Sequence, residues 1–143
     1  MIKNVNVLFA VSLLMAYVSF VQSKDYATDK NGNAHEKVYD VAVSGLRHIG
    51  SDGRCRTEVG NTVNEKEATF DNSIGAPMLD AYWIDPDFNA SERAFYYVRV
   101  LEIPSPRWTT YDAKYFNVER PKDVPVSIQE RAYTSPIWYT PKG

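Results

Sequence analysis

The segment from Ala94 to Ile103 constrains the fold more than any other part of the chain. Its two alternating sides are both largely apolar: Phe95, Tyr97, Arg99, Leu101 and Ile103 form one side, and Tyr96, Val98, Val100 and Glu102 form the other. Because apolar residues on both sides are typical of a strand covered on both faces, this pattern predicts a central β-strand. Pro104 ends the strand, since proline has no N–H to donate to a ladder.

Shorter runs of β-branched and aromatic residues predict further strands at 38–43, 68–70, 78–84, 124–129 and 136–139. Residues 109–116 predict one short helix with Thr109 or Thr110 as its N-cap. Eight prolines and seven glycines separate the runs, and residues 46–66 form a long loop. We therefore expect a mainly β fold, either sandwich-like or an open antiparallel sheet, with long loops and at most one short helix.

The first 23 residues differ in composition from the rest of the chain. Lys3 is the only charged residue before Lys24, and a nearly continuous apolar run extends from Val7 to Phe20. A basic start, an apolar run and short residues before a cut are typical of a secretory signal. We expect a signal helix over residues 1–23, with cleavage after Ser23. The alternative is anchoring in the membrane by the uncleaved helix, but a span needs about 20 apolar residues, more than this run provides.

Cleavage after Ser23 would leave residues 24–143 as one β-rich module, because this length suits a single domain. Residues 24–35 are polar and carry a turn signal, so we expect them to be flexible. The mature module would be secreted or periplasmic, without membrane contact after removal of the signal.

Charge and reactive residues exclude several classes of function. The net charge of −2 argues against nucleic acid as a partner, since phosphate binding needs a basic surplus. The two histidines, His35 and His48, lie far apart in loop-like sequence, and Cys55 is the only cysteine. We therefore predict no catalytic residue, no metal ligand and no cofactor.

Arginine and tryptophan residues cluster in and around the C-terminal strands. The candidate docking or ligand face consists of Arg99, Arg107, Trp108, Arg131 and Trp138. Arginine stacks on aromatic rings and pairs with carboxylates, so the cluster is either a binding surface or an internal network that fixes a loop to the sheet. Separately, Asn89 begins the glycosylation sequon Asn89-Ala90-Ser91.

Long segments rich in Trp, Tyr and Pro carry a family resemblance. They are 93–104, 106–113 and 128–141, together with the shorter 36–41 and 59–63. From about Gly32 to Pro141 the chain closely resembles the C-terminal end of the domain-of-unknown-function 3604 (DUF3604) family. Residues 46–56 are less similar to the family pattern, so we expect that loop to be loosely ordered.

The resemblance implies that the family's longer members have two parts, and that only one of them holds the metal ligands. Their larger N-terminal part is similar to the PHP-type metal-dependent hydrolase fold and holds the metal ligands, and none of its motifs occurs here. The resemblance implies an exported, non-catalytic accessory module or truncated fragment. Its partner would be a separate metal-domain protein or a second copy of itself. The alternative is an independent secreted β-sandwich domain that binds a carbohydrate or a protein, with Trp108 or Trp138 as a stacking platform.

Overall fold

The computed structural model describes the backbone of residues 6–12, 18–28 and 32–141, and the side chains of residues 32–141. The elements in chain order are β1 (Asn6–Ser12), β2 (Val18–Thr28), β3 (Ala34–Val43), β4 (Met78–Ile84), β5 (Arg93–Glu102), β6 (Ser105–Pro106), α1 (Trp108–Phe116), β7 (Ser127–Ile128), β8 (Arg131–Tyr133) and β9 (Ile137–Tyr139). The mainly β prediction is confirmed, and the strands pair in open antiparallel sheets.

The largest sheet has the strand order β3-β2-β5-β8, and β9 also pairs with β5. β8 lies opposite residues 99–101 of β5, and β9 lies opposite residues 94–96. Two smaller pairs, β1 with β4 and β6 with β7, complete the sheets of the described residues. β5 thus has neighbours on both edges, which confirms that it is a central strand.

The core lies on one face of β5, here called the inner face. Period-two alternation sends Val98 and Val100 to this face, where they pack with Ala42 of β3. Leu79 and Ala81 of β4 pack against this cluster, so β4 forms a second layer over the large sheet. The opposite side of β5, here called the outer face, carries the half-buried Phe95, Tyr97 and Arg99. Among the described residues of β5, Tyr96, Val98 and Val100 of the inner face are buried and the outer-face side chains are half-buried, so the two faces are covered unequally.

The strand predicted at 68–70 is also wrong. Asn64 and Thr69 form an isolated bridge, and residues 65–68 between them form a turn. The Asn64 side chain accepts the N–H of Glu67, and Ala68 has a left-handed φ of 49°. A side chain that captures a nearby backbone N–H competes with strand pairing, which explains the turn.

The helix is where the sequence predicts it, but its N-cap is not. Arg107 is the N-cap, and its side chain makes no capping hydrogen bond. Thr109 and Thr110 lie inside the first turn and are buried, and the Thr110 hydroxyl donates to the Val126 carbonyl at 2.7 Å. The Thr110 hydroxyl, predicted to cap the helix, therefore binds the segment before β7 instead.

The predicted signal helix covers residues 1–23; all of its side chains, and its backbone at 1–5 and 13–17, lie outside the described residues. Where the backbone is described there, at Asn6–Ser12 and from Val18 onward, it is strand. β2 continues through Ser23 to Thr28, and β3 begins at Ala34, within the segment predicted to be flexible. No helix among the described residues is both long and apolar enough to cross a membrane.

Candidate functional site

Helix α1 buries polar side chains and exposes aromatic ones, the inverse of the usual arrangement, in which the apolar face of a surface helix faces the core. The buried residues are Thr109 and Thr110, whereas Trp108, Tyr111 and Tyr115 are exposed. The spacing i, i+3, i+7 places these three aromatic side chains on one face of the helix. Together with Phe116 and Val118, which are also exposed, we call them the α1 aromatic surface.

Ion pairs lie beside the α1 aromatic surface. Lys114 pairs with Glu67, and Arg120 pairs with Glu65 at 3.2 Å, so residues 65–67 are tied to the helix and to the segment after it. The helix ends at Asn117, whose φ of 51° allows its N–H to bond back to the last turn. An apolar patch with charged groups at its edge is the common arrangement of a protein interface.

A second cluster of aromatic residues lies on the outer face of the large sheet. The distances between ring centroids are 4.8 Å from Trp138 to Phe95, 6.4 Å from Phe95 to Tyr97 and 6.1 Å from Tyr97 to Tyr133. The rings of Phe95 and Tyr97 are within 17° of parallel. We call these four residues the aromatic row. Its two ends, Trp138 and Tyr133, are 70% and 57% exposed.

Two arginines continue the aromatic row at one end. Arg99 lies opposite Tyr133 in the strand register, and Arg131 lies opposite Leu101. Residues directly opposite in an antiparallel pair share a face, so both arginines belong to the outer face. Arg131 is exposed and Arg99 is half-buried.

The structure thus divides the five residues of the predicted docking or ligand face. Arg99, Arg131 and Trp138 share the outer face, whereas Arg107 and Trp108 lie at the start of α1. The Arg107 backbone N–H donates to Val126, and its buried Nε has no hydrogen-bond partner among the described residues. Sequence reasoning missed Phe95 and Tyr97, although their alternation with Arg99 was the signal that identified this face.

A polar corner follows β4. The buried Asp85 accepts the Tyr96 hydroxyl at 3.0 Å and the Asp87 N–H at 2.9 Å. Asp87 accepts from Lys37 Nζ and the Tyr39 hydroxyl, and these bonds, chiefly that of Lys37, lower the pKa of the Asp87 carboxyl. Burial and then the Asp87 bond raise the pKa of Tyr39 to about 12. The corner therefore fixes β3 to the end of β4.

Tyr39 should make the fold sensitive to alkali. Its pKa is 10.0 without the fold and about 12 within it, so the unfolded chain ionises first. The stability that Tyr39 contributes is complete below pH 10 and is lost as the pH rises from about 10 to about 12. A tyrosinate absorbance titration should show a late component that Tyr39→Phe removes. The same titration curve for Tyr39→Phe and the unaltered chain would contradict the assignment.

The loop after β3 is held by one buried carboxylate. Asp40 Oδ2 accepts the Cys55 N–H at 2.6 Å, and Arg54 Nε lies 3.7 Å from the same oxygen. The Asp40 N–H donates to the Gly53 carbonyl at 2.8 Å. The loop predicted to be loosely ordered is therefore attached to β3 at three consecutive residues.

A cavity of about 420 Å³ lies beyond this loop, lined by residues 55–61, Pro104 and Gln129. Cys55 is one of the lining residues, and its thiol lies 3.6 Å from the Thr57 carbonyl oxygen. Within the described ranges, no three His, Cys, Asp or Glu residues are grouped so that they could hold a metal ion.

The glycosylation sequon is folded into a turn. Asn89 is exposed, and its side-chain oxygen accepts the Ser91 N–H at 3.0 Å and the Ser91 hydroxyl at 2.8 Å. The Asn89 amide nitrogen donates to Glu92 at 2.7 Å. Glycosylation of Asn89 stays a prediction.

The fold and its surfaces define a small antiparallel β domain with two exposed aromatic surfaces. The chain belongs to the DUF3604 family, described as a protein family of unknown function, whose model matches residues 21–141. This match begins before Ser23, so it overlaps the end of the predicted signal segment. No curated protein and no solved structure matches this chain.

Proposed function

We propose that the chain is an exported, non-catalytic accessory module that docks onto a separate polypeptide bearing a metal-dependent hydrolase domain. The single observation that carries the proposal is the inversion of α1, which buries threonines and exposes Trp108, Tyr111 and Tyr115. Exposing large aromatic side chains on one helix face leaves apolar surface in water, and covering it on association is favourable.

The surroundings of α1 support a protein as the partner. The ion pairs of Lys114 with Glu67 and of Arg120 with Glu65 provide a polar rim next to the aromatic side chains. Aromatic residues at the centre of an interface and charged residues at its rim are typical of protein recognition. Family membership makes the metal-bearing part of a longer family member the first partner to test.

The test mixes this chain with the separately expressed metal-bearing part of a longer DUF3604 protein. We expect one complex in size-exclusion chromatography with light scattering, and we expect that Trp108→Ala with Tyr115→Ala weakens it at least about tenfold. Trp138→Ala, at an equally exposed tryptophan on the outer face, is the matched control and should leave the complex intact.

Activity measurements complete this test. Phosphoesterase turnover should require the metal-bearing part and should be absent from this chain alone. Tight metal binding with turnover by the chain alone would overturn the proposal, as would a failure to associate with the metal-bearing part.

The second candidate function is that of an independent secreted binding domain. The observation that favours it is the aromatic row, because exposed rings on a rigid sheet can stack against a ligand. The structure favours Trp138 over Trp108 as the platform, since Trp138 is in contact with another ring of the row.

A further inference from the structure

We propose that the N-terminus of α1 is an anion-binding site that takes a carboxylate of the docking partner. The inference rests on the proposed docking function for the source of that carboxylate, whereas the site itself belongs to this chain and can be tested without a partner. Trp108, the first residue of α1, is part of the α1 aromatic surface. A group bound at this end of the helix therefore lies next to the proposed interface.

The start of α1 has neither a cap nor an acidic side chain. The N-cap residue, Arg107, makes no side-chain capping hydrogen bond, and the first turn contains no acidic residue. The Arg107 carbonyl accepts the N–H groups of Thr110 and Tyr111. The N–H groups of Trp108 and Thr109 have no acceptor within the described part of the chain. Such N–H groups, together with the positive end of the helix dipole, attract anions.

Two buried polar atoms at the same end of the helix also lack a partner among residues 32–141. They are Arg107 Nε and the hydroxyl oxygen of Thr109, a residue that is only 7% exposed. Because Cβ atoms in a helix tilt towards its N-terminus, the Thr109 side chain is directed to the end that carries the free N–H groups. Buried polar atoms almost always have a hydrogen-bond partner, so two exceptions within three residues indicate a ligand.

The chemistry of these groups selects a carboxylate. A guanidinium and backbone N–H groups only donate, and a hydroxyl can also donate, so the set suits an anion with oxygen acceptors. A guanidinium pairs with the two oxygens of a carboxylate through parallel hydrogen bonds. Nε is covered, so the half-buried Arg107 side chain has to shift as the ligand binds. Since aspartate and glutamate are the anions that a protein surface supplies, the partner provides the carboxylate.

The first experiment tests the site in the full chain alone, with acetate as the probe. Acetate replaces chloride at constant ionic strength while amide shifts are recorded by nuclear magnetic resonance. We expect saturable downfield shifts of the Trp108 and Thr109 amides, and Arg107→Gln should abolish them. Arg131→Gln, at an exposed arginine of the outer face, is the matched control and should leave them unchanged. Amides that do not respond, or that respond equally in Arg107→Gln, would overturn the site.

Thr109→Val separates binding from a structural role. It replaces the hydroxyl by a methyl group of similar shape, so it should weaken acetate binding about threefold. Because it removes a buried hydroxyl without a partner, it should also raise the melting temperature by about 3 °C. A lower melting temperature would show that the hydroxyl is already bonded in the free chain, and would overturn its assignment to the site.

The second experiment tests the source of the carboxylate. Arg107→Gln should weaken the complex with the metal-bearing part about tenfold, the value of one charge-assisted contact, whereas Arg131→Gln should not. A complex that Arg107→Gln leaves unchanged would overturn the assignment to the partner while docking stands. Acetate binding without any complex would refute the docking function and the partner as the source, but not the site.

Discussion

Asp40→Ala should lower the free energy of unfolding by about 3 kcal/mol, the cost typical of removing one partner from a buried charged network. The Asp40 side chain is 1% exposed and accepts the Cys55 N–H at 2.6 Å. Its loss leaves that N–H without its acceptor and leaves Arg54 without its nearest carboxylate. For a domain of this size the melting temperature should fall by roughly 10 °C, measurable by calorimetry or urea titration.

The same loop provides a matched control for Asp40. Asp52 is exposed, and it pairs with Arg56 at 2.6 Å across one turn of the loop. Because exposed ion pairs contribute little, Asp52→Ala should cost at most about 1 kcal/mol. Limited proteolysis should cut residues 46–56 faster in Asp40→Ala than in Asp52→Ala. Equal stability of the two variants would show that the loop is not held by Asp40.

The second large effect concerns self-association. Without its partner, the chain should dimerise or aggregate at high concentration and bind a hydrophobic dye, because the α1 aromatic surface is exposed. Trp108→Ser with Tyr115→Ser removes two of its large rings and should lower dye fluorescence about threefold, with a shift towards monomer in analytical ultracentrifugation.

Trp138→Ser with Tyr133→Ser is the matched control for self-association, since it removes two exposed rings from the outer face instead. If it lowers association as much as the helix variant, the outer face contributes equally to the contact. An unaltered chain that stays monomeric at high concentration and binds no dye would contradict the prediction.

The strands with strong local patterns could be predicted from the sequence. β4 has the predicted bounds Met78–Ile84, and β5 differs from its prediction by one residue at each end. In both strands, side-chain alternation and the following proline determine the element locally. β8 could not be predicted, because Arg131–Tyr133 is short and exposed and becomes a strand only by pairing with β5.

The candidate sites depended on contacts between distant segments. Sequence reasoning grouped Arg107 and Trp108 with Arg99 because they follow β5 closely, but the structure places them at the start of α1 and not in a strand of the large sheet. Arg131 and Trp138 reach Arg99's face through strand register, which sequence spacing does not define. The inversion of α1 could not be predicted from its own sequence. The sequence shows which side of the helix is aromatic, but only the tertiary structure shows that the threonine side is the buried one.

If the chain is cut after Ser23, as we propose for an exported module, the position of β2 limits when the cut can occur. Ser23 lies opposite Tyr39 on one side and Val98, which is 0% exposed, on the other. A peptidase needs an extended segment released from its neighbours, so a cut after Ser23 has to come before β2 takes its place between β3 and β5. Cleavage at that stage would leave the ladder positions from Val98 to Glu102 of β5 without their partners in Val18–Ser23. A chain that folds before it is cut would keep Val18–Ser23 paired with β5, and a chain that is cut first would fold without that half of β2.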